Sequence, residues 1–180
     1  MDKMVKAGKY LIGAFGVLIV IGLFMPSSPA SPEKTQKSNE TAISKELQEN
    51  KFFAYVEQFT QFNPNKDYNF EKSKSYLLSA AYTHCDNLKS EPLIKTDPYG
   101  IWTSIEISPL WFGVHSGAIM YLCPKYLDGL SKFTDTMDEK SLDNYLIESY
   151  PSDEMYTDAD RAESKMIINR NFGYVGSLRK

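Results

Sequence analysis

The sequence predicts a mostly α-helical fold, a small helical bundle stapled by one disulfide, with a short extended segment near 101–107. Three observations lead to this prediction. Apolar residues recur at the three- and four-residue spacing of helices in several segments. Cap-forming residues precede those segments. The chain has only two cysteines, Cys85 and Cys123, and each falls in an apolar stretch.

Two helices are predicted in the first half of the chain. The first covers residues 42–62, because its large apolar residues repeat at helical spacing. Asn69 can cap the second helix, whose apolar face contains Leu77, Ala81 and Cys85. Cys85 is therefore expected to face the core.

The middle of the chain joins an irregular stretch to the clearest helix signal. Prolines interrupt the region before residue 101, and the alternating "IWTSIEI" at 101–107 predicts an extended segment. Ser108-Pro109 then pairs a cap residue with proline at the first helical position, which opens the helix "LWFGVHSGAIMYLC". Pro124 ends or kinks this helix at Cys123, because proline lacks an N–H and disfavours helical geometry in the residue before it.

Close packing and further helices are predicted around and beyond this helix. Gly113 and Gly117 have the spacing that lets helices approach closely, and we expect them to pack against Ala80 and Ala81. After Pro124 a short helix is expected, followed by two more. The pairs that resemble capping boxes before those two helices are Thr136 with Glu139 and Thr157 with Asp160.

The N-terminus resembles an export signal. Lysines precede an apolar run at 11–24, and small residues follow it. Two alternatives stay open: residues 1–30 are a cleaved signal peptide, or they are a single-span signal anchor that contacts the membrane through 10–25. In either case the rest of the chain is expected outside the cytoplasm, as a membrane-anchored, periplasmic or secreted protein.

The remaining sequence is sufficient for one domain. A Pro/Ser-rich linker is predicted at 31–41, an exported α-helical domain at 42–172 and a flexible tail at 173–180. The hydrophobic fraction of 42% supports a core. The net charge is −3 although several lysines lie at the N-terminus, so the exported part is acidic and a poor candidate for binding nucleic acid.

Two cysteines on apolar helix faces of an exported chain favour a Cys85–Cys123 disulfide. Two buried free thiols are the alternative if the N-terminal run is misread. His84 and His115 could join the cysteines in a zinc set, but the spacing matches no known zinc motif. A Cys–His nucleophile pair lacks any flanking motif. No catalytic, metal or cofactor site is therefore predicted.

The C-terminal third has a strong acidic bias. Ten acidic residues lie between Asp135 and Glu163, against only Lys140 and Arg161. The calcium-loop pattern is missing, so a docking face for a basic protein is the more specific interpretation and a solvated surface is the plainer one. The residues predicted for that partner-binding face are Asp153, Glu154, Asp158 and Asp160.

A set of aromatic residues offers a second interpretation of the middle of the chain. We expect these side chains in the core, with a ligand pocket as the alternative. The set comprises Tyr99, Trp102, Trp111, Phe112, Tyr121 and Tyr126.

The segments "LLSAAYTHCDNL" and "GAIMYLCPKY", within about 75–126, resemble a domain-of-unknown-function family of small secreted bacterial proteins. In that family a helix bearing Ala…Cys-x-x-Leu is bridged to a later helix that ends in Tyr-x-Cys-Pro or Tyr-Cys-Pro. The resemblance implies export, an α-helical fold and a Cys85–Cys123 bond. "LCP" followed by "LDNYLIESYP" is also similar to periplasmic immunity proteins, which are helical, disulfide-bonded inhibitors of secreted toxins.

Three functions are compatible with these observations. The leading expectation is an exported cell-envelope or secreted protein that acts as a non-enzymatic binding or structural module. The second is an immunity-type inhibitor that uses the acidic C-terminal face. The third is an enzyme of unrecognised type, which a histidine paired with a carboxylate in a pocket would favour.

Overall fold

The computed structural model describes residues 33–90, 93–152 and 155–177, with side chains described from residue 44 onward. Within these ranges the chain forms seven α-helices and no strand, which confirms the mostly α fold. The helices are α1 (Glu33–Glu57), α2 (Phe70–Ser90), α3 (Ile101–Ile107), α4 (Pro109–Gly117), α5 (Leu127–Asp135), α6 (Glu139–Ser149) and α7 (Asp158–Ser177). Shorter turns of 3₁₀-helix lie at Thr60–Phe62 and Pro124–Tyr126, and a π-helix lies at Ala118–Leu122.

Helix α4 is the centre of the bundle. Nearly all of its side chains are apolar, so it is buried on every side rather than along one stripe. It contacts α1, α2, α3 and α7, and the π-helix continues it into the core with Ala118 and Ile119. Its start is the predicted one, because the Ser108 side chain accepts a hydrogen bond from the Trp111 N–H.

The two glycines of α4 allow close contact with α1, not with α2 as we expected. A Cβ at Gly113 would lie 2.5 Å from Phe59 Cδ2, and one at Gly117 would lie 2.9 Å from Tyr55 Cδ1. The prediction of close helix packing is therefore confirmed, but the partner is wrong. The large aromatic rings of Tyr55 on α1 and of Phe59, just after α1, cover the glycines, whereas we had expected small residues to oppose small residues.

The predicted disulfide is present between Cys85 on α2 and Cys123, with a Cα–Cα distance of 6.0 Å and a sequence separation of 38. Cys123 leaves helical geometry where predicted, before Pro124, with φ −136° and ψ 60°. Its N–H still donates to the Ala118 carbonyl at 2.9 Å, which closes the π-helical turn. The bond thus joins α2 to the end of the central helix.

The extended segment predicted at 101–107 is wrong, because these residues form α3. The Asp97 carboxylate accepts hydrogen bonds from the N–H groups of Ile101, Trp102 and Thr103 at 2.6–3.1 Å. At the other end, Asn171 Nδ2 donates to the Ile105 carbonyl at 2.8 Å. Side chains from outside the segment therefore satisfy both helix ends, and this tertiary capping overrides the strand-like composition.

Both outer helices extend beyond the predicted domain limits. Helix α1 begins at Glu33, inside the predicted linker, where Glu, Lys and Gln residues have high helix propensity. Helix α7 continues through Ser177, inside the predicted tail, because Val175 is buried in the core. The predicted signal or anchor at 1–30 lies outside the described residues. None of the helices described here is both long and apolar enough to span a bilayer.

One of the two predicted capping boxes is confirmed. The Thr157 N–H donates to Asp160 Oδ2 at 2.6 Å, and the Asp160 N–H donates back to Thr157 Oγ1 at 3.3 Å. At α6 the prediction is wrong, since the cap is Asp138, whose Oδ1 accepts from the Ser141 N–H at 2.8 Å. Asp138 stands two residues after Thr136, next to the first helical residue, and a carboxylate is favoured at that position.

Candidate functional site

The two histidines of the chain lie face to face between α2 and α4. The rings of His84 and His115 stack with centroids 4.1 Å apart and an interplanar angle of 4°. Gly100 packs against the pair, and a Cβ there would lie 3.3 Å from His84 Cε1. Gly100 also has φ 64°, a conformation that glycine adopts without strain. The backbone before α3 can therefore come close to both rings.

Both histidines are held neutral. Burial, and to a lesser extent the proximity of His115, lowers the pKa of His84 to about 3, against a hydrogen bond with the Tyr99 backbone. Burial lowers the pKa of His115 to about 4, against a hydrogen bond with the Gly100 backbone. His84 Nε2 and His115 Nδ1 have no hydrogen-bond partner among the described residues. At neutral pH the pair is two uncharged, stacked imidazoles.

The pair lines an open groove of about 380 Å³ on the surface of α2, here named the histidine groove. No carboxylate and no lysine line it among the described residues, so neither imidazole meets an acidic partner there. The sulfur atoms of Cys85 and Cys123 are bonded to each other and supply no free thiol. The groove is defined by Tyr76, Thr83, His84, Asn87, Leu93 and His115.

A second cavity, of about 370 Å³, lies where α3, α6 and α7 meet. We name it the Trp102 cavity, because Trp102 lines it while remaining only 4% exposed. The Trp102 ring lies 6.4 Å from Phe172 and 6.4 Å from Tyr145. The residues that define the cavity are Trp102, Asp138, Glu139, Lys165, Asn169 and Phe172.

The indole Nε1 of Trp102 is buried and has no hydrogen-bond partner among the described residues. An indole N–H is a donor only, so no change of tautomer can relieve it. Leaving such a donor unpaired inside a protein costs about 1–3 kcal/mol. An acceptor oxygen that reached this N–H would recover the energy.

The rim of the Trp102 cavity is acidic. Lys165 Nζ donates to Glu139 Oε1 at 3.1 Å and to Asp143 Oδ1 at 2.6 Å. Hydrogen bonds from Ser141 lower the pKa of Asp138, so this carboxyl is ionised at neutral pH. The cavity region thus combines three carboxylates with one ammonium group, and it favours a cationic ligand over an anionic one.

The predicted partner-binding face is only partly described. Asp153 and Glu154 lie outside the described residues. Asp158 forms an ion pair with Arg161, and Asp160 accepts hydrogen bonds from Thr157, which lower the pKa of Asp160. These two carboxylates therefore serve the start of α7, where negative charge is favourable. Asp160 and Glu163 also border a groove of about 250 Å³, whereas the acidic groups that border the Trp102 cavity are those at the start of α6.

The predicted aromatic set does not gather at one site. Trp102 lines the Trp102 cavity, and Phe112 lines a smaller cavity on the other side of α3. Trp111 packs edge-on against Tyr76 beside the histidine groove. The composition predicted the aromatic core but not which ring would border a cavity.

The α7 side of the Trp102 cavity was missed from the sequence. Lys165, Asn169 and Phe172 follow the i, i+4, i+7 spacing of one helix face, and that spacing was the available signal. The face combines a cation, an amide and an aromatic ring, and this composition is typical of neither a core-facing helix surface nor a charged one.

A larger groove of about 520 Å³ runs between the Thr60–Phe62 turn and α7 and includes Arg170 and Tyr174. Its Asn171 amide already donates to the carbonyls of Ile105 and Glu106. None of the residues lining this groove has a buried polar side-chain atom without a partner within the described ranges. The groove is therefore large enough for a ligand, but its residues indicate a ligand less clearly than those of the Trp102 cavity do.

Among the described residues, no group of three or more His, Cys, Asp and Glu side chains could hold a metal ion. No protein-family model matches the chain, and neither the curated proteins nor the solved structures contain a significant match to it.

Proposed function

We propose that this protein is an exported, non-enzymatic binding domain that takes a protein partner at the Trp102 cavity. Export is the expectation from the basic and apolar N-terminal residues, and the Cys85–Cys123 bond is compatible with it. The observation that carries the proposal is the buried, unpaired indole N–H of Trp102, a residue that lines a cavity with an acidic rim. An inhibitor of a basic secreted protein would be one form of this function.

The arrangement of the histidines supports binding over catalysis. A general acid or base needs a pKa near the working pH and a group that orients it. His84 and His115 have pKa values of about 3 and about 4, and each ring faces the other rather than a carboxylate. The pair is suited to filling space between α2 and α4.

The test is selection of binding peptides from a random phage-displayed library. The target is the full-length oxidised chain, kept in mild detergent because of its apolar N-terminal run. Two variants locate the site, since Asn169 and Asn87 are exposed asparagines on the Trp102 cavity and the histidine groove, respectively. Asn169→Trp fills the first site, and Asn87→Trp fills the second as a matched control.

We expect selected peptides to bind Asn169→Trp about ten-fold more weakly or worse, which corresponds to about 1.4 kcal/mol. Binding to Asn87→Trp should be unchanged. Loss with Asn87→Trp alone would move the site to the histidine groove and overturn the proposal. Equal binding to all three proteins, or no selected peptide at all, would also overturn it.

A further inference from the structure

We infer that the Trp102 cavity recognises an arginine side chain of the partner together with a backbone carbonyl beside it. This inference rests on the proposed function and names the chemistry of the ligand. A peptide segment supplies both groups at once, since each residue carries a carbonyl oxygen next to its side chain.

The carboxylates at the start of α6 leave positions open for a second cation. Lys165 bonds to Glu139 through Oε1, and no described residue bonds to Glu139 Oε2. Ser141 bonds to Asp138 only through Oδ1. A guanidinium group presents several N–H donors in one plane, so it can bind such a carboxylate without displacing Lys165.

The aromatic rings favour arginine over lysine. Phe172 is 39% exposed at the cavity, and its ring is inclined by 36° to that of the buried Trp102. A planar guanidinium stacks on aromatic faces and is more weakly hydrated than an ammonium group. The cavity volume of about 370 Å³ is within the range of small-ligand sites.

Trp102 lines the cavity, and its indole N–H is a buried donor that has no partner in the described structure. The guanidinium itself cannot satisfy it, because arginine has no acceptor. The ligand must therefore contain an acceptor as well as a cation, and the neighbouring peptide carbonyl is that acceptor. Asn169, whose amide is exposed at the same cavity, can bond to the rest of the ligand backbone.

The chain is well suited to a direct measurement, because it contains only two tryptophans. Each indole gives its own N–H signal in a ¹H–¹⁵N NMR spectrum, and Trp111→Phe assigns them. The probe is N-acetyl-arginine-N-methylamide, titrated into the full-length oxidised protein. The neutral control probe is the citrulline analogue, which has nearly the same shape and keeps the carbonyls.

We expect the arginine probe to shift the Trp102 signal saturably and to leave the Trp111 signal in place. The citrulline probe should bind about ten-fold more weakly. Glu139→Gln should weaken arginine binding several-fold, whereas Glu163→Gln, an exposed acidic residue of α7 away from this cavity, should not change it.

Three outcomes would overturn the inference. They are equal binding of the arginine and citrulline probes, a response of Trp111 instead of Trp102, and an equal effect of Glu139→Gln and Glu163→Gln. If library peptides are nevertheless lost with Asn169→Trp, the proposed function stands and only the arginine assignment fails. If no library peptide uses the cavity, the proposed function itself fails.

Discussion

The histidine groove and the Trp102 cavity are similar in volume, yet they bury polar nitrogen atoms in different ways. In the groove, burial keeps two stacked imidazoles neutral, and each ring has one hydrogen bond to the backbone and one buried nitrogen without a partner. In the cavity, the Trp102 N–H cannot adapt and stays without a partner, next to carboxylates. The unpaired nitrogen of a neutral imidazole can be the one that carries no proton, whereas the indole nitrogen is always a donor and gains from an acceptor.

The histidine groove and the Trp102 cavity also differ in rigidity. Cys85 follows His84 directly on α2, so the disulfide fixes the wall of the histidine groove. The Trp102 cavity has no covalent link among the described residues and is held by α3 and by ion pairs of Lys165 on its surface. Surface ion pairs contribute little to stability. The two sites should therefore respond differently to the changes below, which run from the largest expected effect to the smallest.

Removal of the disulfide should have the largest effect. Replacing both Cys85 and Cys123 by Ala removes a cross-link that closes a loop of 38 residues, and the chain-entropy estimate gives a loss of about 4 kcal/mol. Denaturant unfolding of the oxidised wild type and the double variant measures the free energy of unfolding. In the folded variant, the signal of Trp111, which lies 5.7 Å from His115, should change more than that of Trp102. A loss below 1 kcal/mol would contradict the assigned role.

Asp97→Ala should disturb both sites at once. The Asp97 side chain is fully buried and accepts three backbone hydrogen bonds and one from the Thr103 hydroxyl. Hydrogen bonds to a charged group contribute about 1.5–3 kcal/mol, so we expect a loss of about 3 kcal/mol. Asp97→Asn keeps one side-chain acceptor oxygen, so it should lose less stability than Asp97→Ala. Changes at only one of the two tryptophan signals would show that α3 does not support both sites.

Acidification should destabilise the histidine side selectively. Since the folded pKa values of His84 and His115 are about 3 and about 4, only the unfolded chain takes up protons as the pH falls below about 6.5. The free energy of unfolding then decreases, by at most about 1.4 kcal/mol per pH unit for each histidine, and the decrease ends below the folded pKa. Above pH ~7 the effect is absent.

The measurement is the free energy of unfolding between pH 7 and pH 5, for the wild type and for His84→Phe. The variant keeps an aromatic ring against His115 but does not titrate, so its slope should be smaller. The contribution of carboxyl groups is common to both proteins and cancels in the difference. Parallel slopes would show that His84 is not held neutral by the fold.

Much of the bundle could be predicted from local sequence. Ser108-Pro109 opened α4 and Pro124 ended the helical run, because proline and cap residues act on their immediate neighbours. The disulfide was also predictable, since both cysteines lie on apolar faces. Helix α3 was not predictable, because its ends are satisfied by Asp97 and by Asn171 from a distant helix.

The candidate site was harder to predict than the fold. The sequence indicated an acidic region and a set of aromatic residues, but not that Glu139 and Trp102 would border one cavity. That arrangement depends on how both α3 and α6 pack against α7, and the strand-like pattern of 101–107 did not reveal α3. Asp158 and Asp160, two residues of the predicted partner-binding face, also bond to Arg161 and Thr157 at the start of α7, and their role in binding stays a prediction. Charge in the sequence does not distinguish a cap from a docking residue.

The smallest expected effect tests the contrast between satisfied and unsatisfied polar groups directly. Trp102→Phe removes ring volume, which destabilises the core, but it also removes an N–H that has no partner, which stabilises it. Because these effects oppose each other, the net loss in the free energy of unfolding should be below about 1 kcal/mol. Tyr145→Phe, beside it in the core, removes a hydroxyl that donates to Glu106 Oε2 at 2.9 Å and should lose about 1–3 kcal/mol.

Denaturant unfolding of the two variants in parallel gives the comparison. A larger loss of stability for Tyr145→Phe supports the view that the Trp102 N–H has no partner in the free protein and is available to a ligand. A larger loss for Trp102→Phe would mean that the indole N–H is satisfied in the free protein, for example by water, and the cavity would then have no unmet donor for a partner to bind.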